Sequence, residues 1–257
     1  MSVLVISAHA DDAEAALGGT IARLIEDGET VHYLALSICE DSVPAGFPKD
    51  ILAMECLQST KALGVPAEHV IIRRYPVRRL PEHRQEILDE FIQIRRRLEP
   101  DTVYAPSTAD IHQDHATVSA EVIRAFRRNA SLFGYDFPWN VLYTAPLNLF
   151  YELQERHLRK KIEALQFYKS QLGKESNPLS DEYVRSLAIE RGNRVGVRYA
   201  EAFEVLREVR RSARCSTGGA RSSFSAGTSS SRTPQSSPGA RSSSGTACGL
   251  GSTCASR

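Results

Sequence analysis

Short apolar runs alternate with amphipathic stretches along most of this chain. "VLVIS" (residues 3–7) reads as a buried strand, and "GGTIARLIEDG" (18–28) has helical spacing and stops at Gly28. "TVHYLALS" predicts a second strand, followed by a helix through "KDILAMECLQSTKALG" that closes at Gly64 with Pro66 just beyond. "HVIIRRY" gives a third strand, "EHRQEILDEFIQIRRRLE" a helix stopped by Pro100, and "DTVYAPS" a fourth strand. After a polar loop, "HATVSAEVIRAFRRN" carries the helix period and "NVLYTAP" the composition of a strand. Two more helices are expected. One is "HLRKKIEALQFYKSQ" (157–171), with Ile162, Leu165 and Tyr168 on one face; the other lies within "SDEYVRSLAIERGNRVGVRYAEAF", with Ser180 as its N-cap. This repetition predicts an α/β fold, Rossmann-like, with a mostly parallel sheet and helices on both faces.

The pattern stops at residue 211. Residues 212–257 are dominated by Ser, Gly, Ala and Arg, hold a single Phe and show no period, so the segment cannot bury enough apolar surface to fold alone. The expected organisation is one domain over 1–211 and a disordered low-complexity tail over 212–257. The tail also skews the charge balance. It takes five of the 32 basic residues and none of the 31 acidic ones, which turns a net +1 for the chain into −4 upstream. A slightly acidic domain argues against nucleic acid as the partner. No run approaches the ~20 apolar residues of a membrane span, and the N-terminal apolar stretch is too short and lacks the basic lead of a secretory signal. The five cysteines (39, 56, 215, 248 and 254) have no C-x-x-C spacing, which speaks against a zinc ribbon or disulfide scaffold and makes the cytoplasm the expected location.

Candidate chemistry sits at two strand ends. "ISAHADDAE" (6–14) breaks the first strand with a histidine and three carboxylates, and "TADIHQDH" (108–115) follows the fourth. Like charges crowd at Asp11, Asp12 and Glu14 unless something positive stands among them. In a sheet of order 3-2-1-4, strands one and four are neighbours at the switch point, so His9, Asp11, Asp12, His112, Asp114 and His115 can converge in one crevice. Two imidazoles, one carboxylate and water make a catalytic zinc site. His9 and Asp12 offer two ligands, and either His112 or His115 the third. Each cluster alone also has a plain structural reading, an N-cap for the paired Asp and a polar helix start for "HQDH". Gly18-Gly19 lacks a dinucleotide or phosphate-loop pattern and fits tight strand-helix packing equally well.

"AHADDAE" resembles the A-H-P-D-D-x-E signature of the LmbE-like, or PIG-L, zinc-dependent N-deacetylases. "APSTADIHQDHATV" is similar to that family's H-x-D-H segment, and "GVRYAEAF" to a segment near the end of many members. The resemblance covers roughly residues 2–206. It implies His9, Asp12 and His115 as ligands of one Zn2+ (other divalent ions being acceptable), Asp11 as general base, and His112 as oxyanion stabiliser or acid to the leaving amine, oriented and charged by Asp114. It implies a small-molecule substrate, an N-acylated sugar or glycoside that loses its acyl group, acetyl first of all, and leaves a homo-oligomer open. Ala10 stands where the signature has Pro. "KDILAMEC" lacks the Arg that many members carry ahead of the glutamate matching Glu55, so Arg78 and Tyr199 become the candidate substrate contacts. The rival readings are hydrolysis of another amide, such as a thiol-sugar conjugate, and a sugar- or nucleotide-binding domain that holds a divalent cation without turnover.

A chain ending near Arg211 is expected to keep the cooperative unfolding transition of the full chain. Thermal melts of the two side by side check this; a large loss of stability on truncation would show that the tail is part of the folded unit.

Overall fold

Alternate residues of the first strand enter different cores. In the computed structural model, which describes residues 1–142, 145–172 and 179–210, β1 (Ser2–His9) sends Val3 and Val5 into one apolar layer and Leu4 and Ile6 into the other. A strand buried on both faces is what a central position in a parallel sheet requires. The chain continues through α1 (Asp12–Glu26), β2 (Thr30–Ser37), α2 (Ile51–Leu63), β3 (Val70–Ile72), α3 (Arg84–Leu98), β4 (Thr102–Pro106), α4 (Gln113–Phe126) and β5 (Ser131–Tyr135). Then come β6 (Leu147–Leu153), α5 (Glu155–Leu165), α6 (Lys169–Leu172), α7 (Asp181–Asn193) and β7 (Tyr199–Arg207).

The sheet order is β3-β2-β1-β4-β5-β7-β6, parallel from β3 to β5 and antiparallel at β7 and β6. β1 pairs with both β2 and β4, so the winding reverses there and a crevice opens at the carboxyl ends of β1 and β4. Leu17 of α1, Leu52 of α2, Leu158 of α5 and Val184 of α7 pack on one face; Phe91 of α3 and Phe126 of α4 pack on the other. Ser180 caps α7 as expected, its hydroxyl accepting from the Tyr183 N–H. Among the described residues no helix is long and apolar enough to cross a membrane.

Three expectations need correction. The fifth strand is "SLFGY", not "NVLYTAP": Val141 makes only an isolated antiparallel bridge with Asp110, and residues 143 and 144 lie outside the described residues. Gly134 hides the strand signal, yet it is needed, because a Cβ there would stand 2.9 Å from the Ser107 Cα and from Glu204 Oε2. The single helix expected over 157–171 is divided, α5 ending at Leu165 and α6 beginning at Lys169. Finally, α1 starts at Asp12, six residues before Gly18, and is interrupted at Leu17, whose φ of −132° and ψ of 23° are not helical. The tail expected over 212–257 lies outside the described residues.

The interruption in α1 frees backbone donors inside the protein, and β7 supplies their acceptor. Glu201 takes the N–H groups of Gly19 (3.1 Å) and Thr20 (2.6 Å), as an N-cap would at a second helix start. Lys161 of α5 neutralises the same carboxylate at 2.6 Å. Both are buried. Gly19 is required by this approach, since a Cβ would lie 2.5 Å from Leu153 Cδ1 and 3.2 Å from Glu201 Oε1. Replacing Glu201 by Ala strands a buried cation and two donors, and is expected to cost about 3–5 kcal/mol, measured as a shift of the urea unfolding midpoint.

Candidate metal centre and active site

β1 ends at His9, and a two-residue turn through Ala10 and Asp11 enters α1 at Asp12. β4 ends at Pro106, and the loop after it delivers His112 to the N-cap of α4, with Asp114 and His115 in the first turn. The register of the sheet brings these two strand ends side by side.

Three donor atoms form a nearly equilateral triangle. His9 Nδ1 to Asp12 Oδ2, Asp12 Oδ2 to His115 Nε2, and His115 Nε2 to His9 Nδ1 are each 3.2 Å. Tetrahedral coordination with bonds of ~2.0–2.1 Å places neighbouring ligand atoms about 3.3 Å apart. The opposite edge of each ring is held by a carboxylate: His115 Nδ1 meets Asp110 Oδ2 at 2.7 Å, and His9 Nε2 meets Asp114 Oδ2 at 2.9 Å. With a ring hydrogen donated outward to each carboxylate, each imidazole turns a lone pair inward. Two imidazole lone pairs and a carboxylate oxygen then face one another, a donor set that fits a divalent cation of borderline softness.

The electrostatics of the ion-free protein point the same way. Burial alone would push the histidines down, but the negative charge of Asp12, with hydrogen bonds from His9 to Asp114 and from His115 to Asp110, raises His9 to about 9 and His115 to about 10. Burial likewise works against the Asp12 carboxylate, and the adjacent His115 and His9 overcome it and hold Asp12 well below the usual carboxylate range. Protons occupy the place a cation would take.

His112 stands just outside the triangle. One nitrogen each of His9, His112 and His115 lies within 4.8 Å of the others, and the His112 ring is 5.1 Å from that of His9, edge to face. Its Nδ1 accepts from the Asp114 main-chain N–H at 3.3 Å, which leaves Nε2 to carry the ring hydrogen. Burial, then the neighbouring His115 and His9, keep its pKa below the ordinary value, so the neutral ring is a hydrogen-bond donor. Asp11 is half-buried at the N-cap position of α1, and its side chain makes no capping bond there.

The structure places Asp114 differently from expectation. Its carboxylate touches His9 rather than His112, and accepts from the main-chain N–H groups of Arg78 (2.6 Å) and Leu80 (3.1 Å). These two donors, on the loop between β3 and α3, turn the carboxylate away from the His112 ring and help keep it ionised despite burial. Arg78 therefore reaches the cluster through its backbone, at a φ of +66° that is costly for a residue with a Cβ. Its side chain is exposed and lines an open cavity of about 540 Å³ with Asp41, Val77, Arg79 and Glu82. Tyr199 is not brought to the cluster; it is buried at the start of β7, paired with Leu153, with the Arg198 guanidinium 5.0 Å from its ring centre. Glu55 is structural, accepting from the Ser170 N–H and hydroxyl.

Several supports were not singled out from the sequence. Asp110 is one, although it stands in the quoted "TADIHQDH". Glu204 of β7 is another: it anchors the loop after β4 through the Ser107 hydroxyl (2.7 Å), the Thr108 N–H (2.9 Å) and the Thr108 hydroxyl (2.6 Å). The third is a buried network under the metal turn. Glu14 meets the hydroxyls of Tyr33 and Tyr168, and the Tyr168 hydroxyl also donates to the Ala10 carbonyl. Burial raises Glu14 to about 7, against the pull of the two hydroxyls, so at neutral pH it is partly protonated and the charge crowding beside Asp11 and Asp12 is relieved.

The chain is similar to known proteins over most of its length. Residues 4–126, which contain both strand-end clusters, match the family described as "PIG-L: GlcNAc-PI de-N-acetylase". The chain is 28% identical over 222 residues to a diacetylchitobiose deacetylase of Thermococcus kodakarensis, covering 78% of this chain and 81% of that protein. It superposes on the N,N'-diacetylchitobiose deacetylase of Pyrococcus horikoshii with a TM-score of 0.65 at 22% identity, over 80% of this chain and 83% of that one. The 4-carboxy-2-hydroxymuconate hydratase GalB of Pseudomonas putida KT2440 shares the fold equally well, with a TM-score of 0.65 at 20% identity over 82% and 98% of the two chains. The fold therefore does not choose the reaction. Residues 4–126, with His9, Asp12, His112 and His115 all inside the match, are similar to the PIG-L (LmbE-like) family.

Proposed function

We propose that this protein is a zinc-dependent hydrolase that removes an N-acyl group, acetyl first of all, from an amino sugar or glycoside. The observation that carries the reading is the 3.2 Å triangle of His9, Asp12 and His115, with the imidazole donor His112 beside it and Asp11 next to Asp12 in the chain. A cation-binding domain without turnover has no use for the last two.

His9, Asp12 and His115 would hold a zinc ion, which when bound would supply Lewis acidity toward the amide carbonyl and lower the pKa of a water to ~7. Asp11 accepts a proton from the attacking water. His112 donates a hydrogen bond to the carbonyl oxygen as negative charge develops there, and the proton taken up by Asp11 passes to the departing nitrogen as the C–N bond breaks, because an amide nitrogen leaves poorly as an anion. Asp110 and Asp114 hold the rings of His115 and His9 in the tautomers that ligation needs.

The purified protein is expected to carry about one divalent ion per chain and to release acetate from a panel of N-acetylated sugars, with both lost in His9→Ala and His115→Ala. His112→Ala keeps the ion and loses turnover by ~10² or more. Metal retained in His115→Ala but lost in His112→Ala would exchange the two roles and sink the mechanism. Asp114→Asn is expected to behave like Asp110→Asn, each weakening metal affinity by about 10–100-fold in a chelator competition.

The histidine pKa values set the sign of a pH effect. Below pH 9 the ion-free protein holds protons on both His9 and His115, and a bound cation must expel them, so apparent metal affinity falls as pH falls. Calorimetry near neutral pH in buffers of different ionisation enthalpy should register about two protons released per ion; zero release would mean that the inward nitrogens are already bare.

A further inference from the structure

Three large apolar side chains stand in the open on two segments that border the histidine cluster. Ile111, 56% exposed, immediately precedes His112; Trp139 (48%) and Leu142 (71%) lie on the loop between β5 and β6. The segments are bonded together. The Ile111 N–H donates to the Asn140 carbonyl at 2.9 Å, and Asp110 bridges Val141 in antiparallel fashion. Asp110, which orients His115, is thus fixed to the loop that displays Trp139.

A file of rings also links the metal corner to that loop. Phe137 lies 5.6 Å from the His115 ring, and Trp139 lies 5.0 Å from Phe137 with planes 32° apart. Tyr183 of α7 is 5.7 Å from the indole. Trp139 is therefore held two ring contacts from His115 with about half its surface in water. Single exposed apolar residues are ordinary on a protein surface, whereas a Trp, an Ile and a Leu gathered beside a polar catalytic cluster mark a place that something apolar covers.

The charged groups behind the loop do not compete for the occupant. A cavity of about 250 Å³ there is lined in part by Asp136, Glu190, Arg191 and Arg194, and its cations are paired, Arg191 with Asp136 and Arg194 with Glu190. Recognition on this side is apolar rather than ionic. Nor does a single pyranose face account for it, because the indole alone matches that face and Ile111 and Leu142 extend the surface further.

Resting on the deacetylase reading, the geometry points to Trp139, Ile111 and Leu142 as a subsite for an uncharged apolar aglycone, alkyl or aryl, so that the preferred substrate is an N-acetylated glycoside bearing such a group. Trp139 is the chain's single tryptophan, and its emission reports on the subsite directly. The test uses the metal-loaded full chain, the hexyl and methyl β-glycosides of N-acetylglucosamine as substrates, and hexyl and methyl glucosaminide as ligands that lack the acetyl group.

Hexyl glucosaminide is expected to shift the emission to the blue in a saturable way, and methyl glucosaminide is not. The kcat/KM ratio of hexyl over methyl substrate is expected to be about tenfold or more, falling to near one in Trp139→Ala and by about threefold in Leu142→Ser, mainly through KM. Leu142→Ser changes only an exposed side chain, so it answers even if Trp139→Ala disturbs Phe137. Equal rates on the two substrates with no shift from the hexyl ligand overturn the subsite, while acetate release from the methyl glycoside leaves the deacetylase reading standing. A saturable shift from the hexyl ligand without acetate release from any substrate supports the apolar subsite and removes the deacetylase reading instead.

Discussion

Three lone pairs, on His9, Asp12 and His115, are held 3.2 Å from one another at the ends of two adjacent strands, and the surrounding structure is arranged to keep them there. Left without a positive charge between them, they repel. The protein resists this with fixed geometry: each imidazole is pinned from behind by a carboxylate, and those carboxylates are pinned in turn. Asp114 accepts two backbone N–H groups from a loop that tolerates a left-handed Arg78 to present them. Strain at Arg78 is then intelligible as the cost of holding His9 in one tautomer and one orientation.

The support for this centre extends well beyond the stretch that carries His9, Asp12 and His115. Both clusters lie within residues 4–126, yet the last strand contributes the two carboxylates that brace the crevice from outside it. Glu201 satisfies the donors released where α1 breaks, just behind the metal turn, and Glu204 ties down the loop that leads from β4 to the "HQDH" helix. An antiparallel strand at the far side of β5 is therefore part of the site's scaffold. Without it, the five parallel strands from β3 to β5 would still present loose loops at their switch point.

The parallel half of the sheet was legible because each of its strands is apolar on both faces and each helix carries a clear break, as at Gly64 and Pro100. β5 escaped because Gly134 is there for a close approach between strands, not for β propensity, and the flanking "NVLYTAP" looks more like a strand than it is. Within the site, the topology rule was enough to unite two clusters a hundred residues apart. The partner of Asp114 could not be read the same way. Which ring a carboxylate faces depends on where the loop around Arg78 places two N–H groups, and no spacing in "IHQDH" encodes that. Asp110 was visible in the same quoted segment, but only the tertiary fold shows that it lies behind His115.

Ala10 shows how a local departure from a motif is answered elsewhere in the chain. With Ala where the family signature has Pro, the turn between His9 and Asp11 loses the ring that would fix its backbone, and the sequence alone suggests a looser Asp11. The structure supplies the restraint from a distance. Tyr168, buried in the turn between α5 and α6, donates to the Ala10 carbonyl and also meets Glu14, while Tyr33 of β2 holds the other Glu14 oxygen. A hydrogen bond in a dry site restrains a carbonyl without forbidding small adjustments of the backbone on either side, as a ring would. Because burial raises Glu14 to about 7, the same network keeps a third full charge from forming beside Asp11 and Asp12. The position of Asp11 and the sum of charge around it thus depend on two tyrosines that lie outside both strand-end clusters.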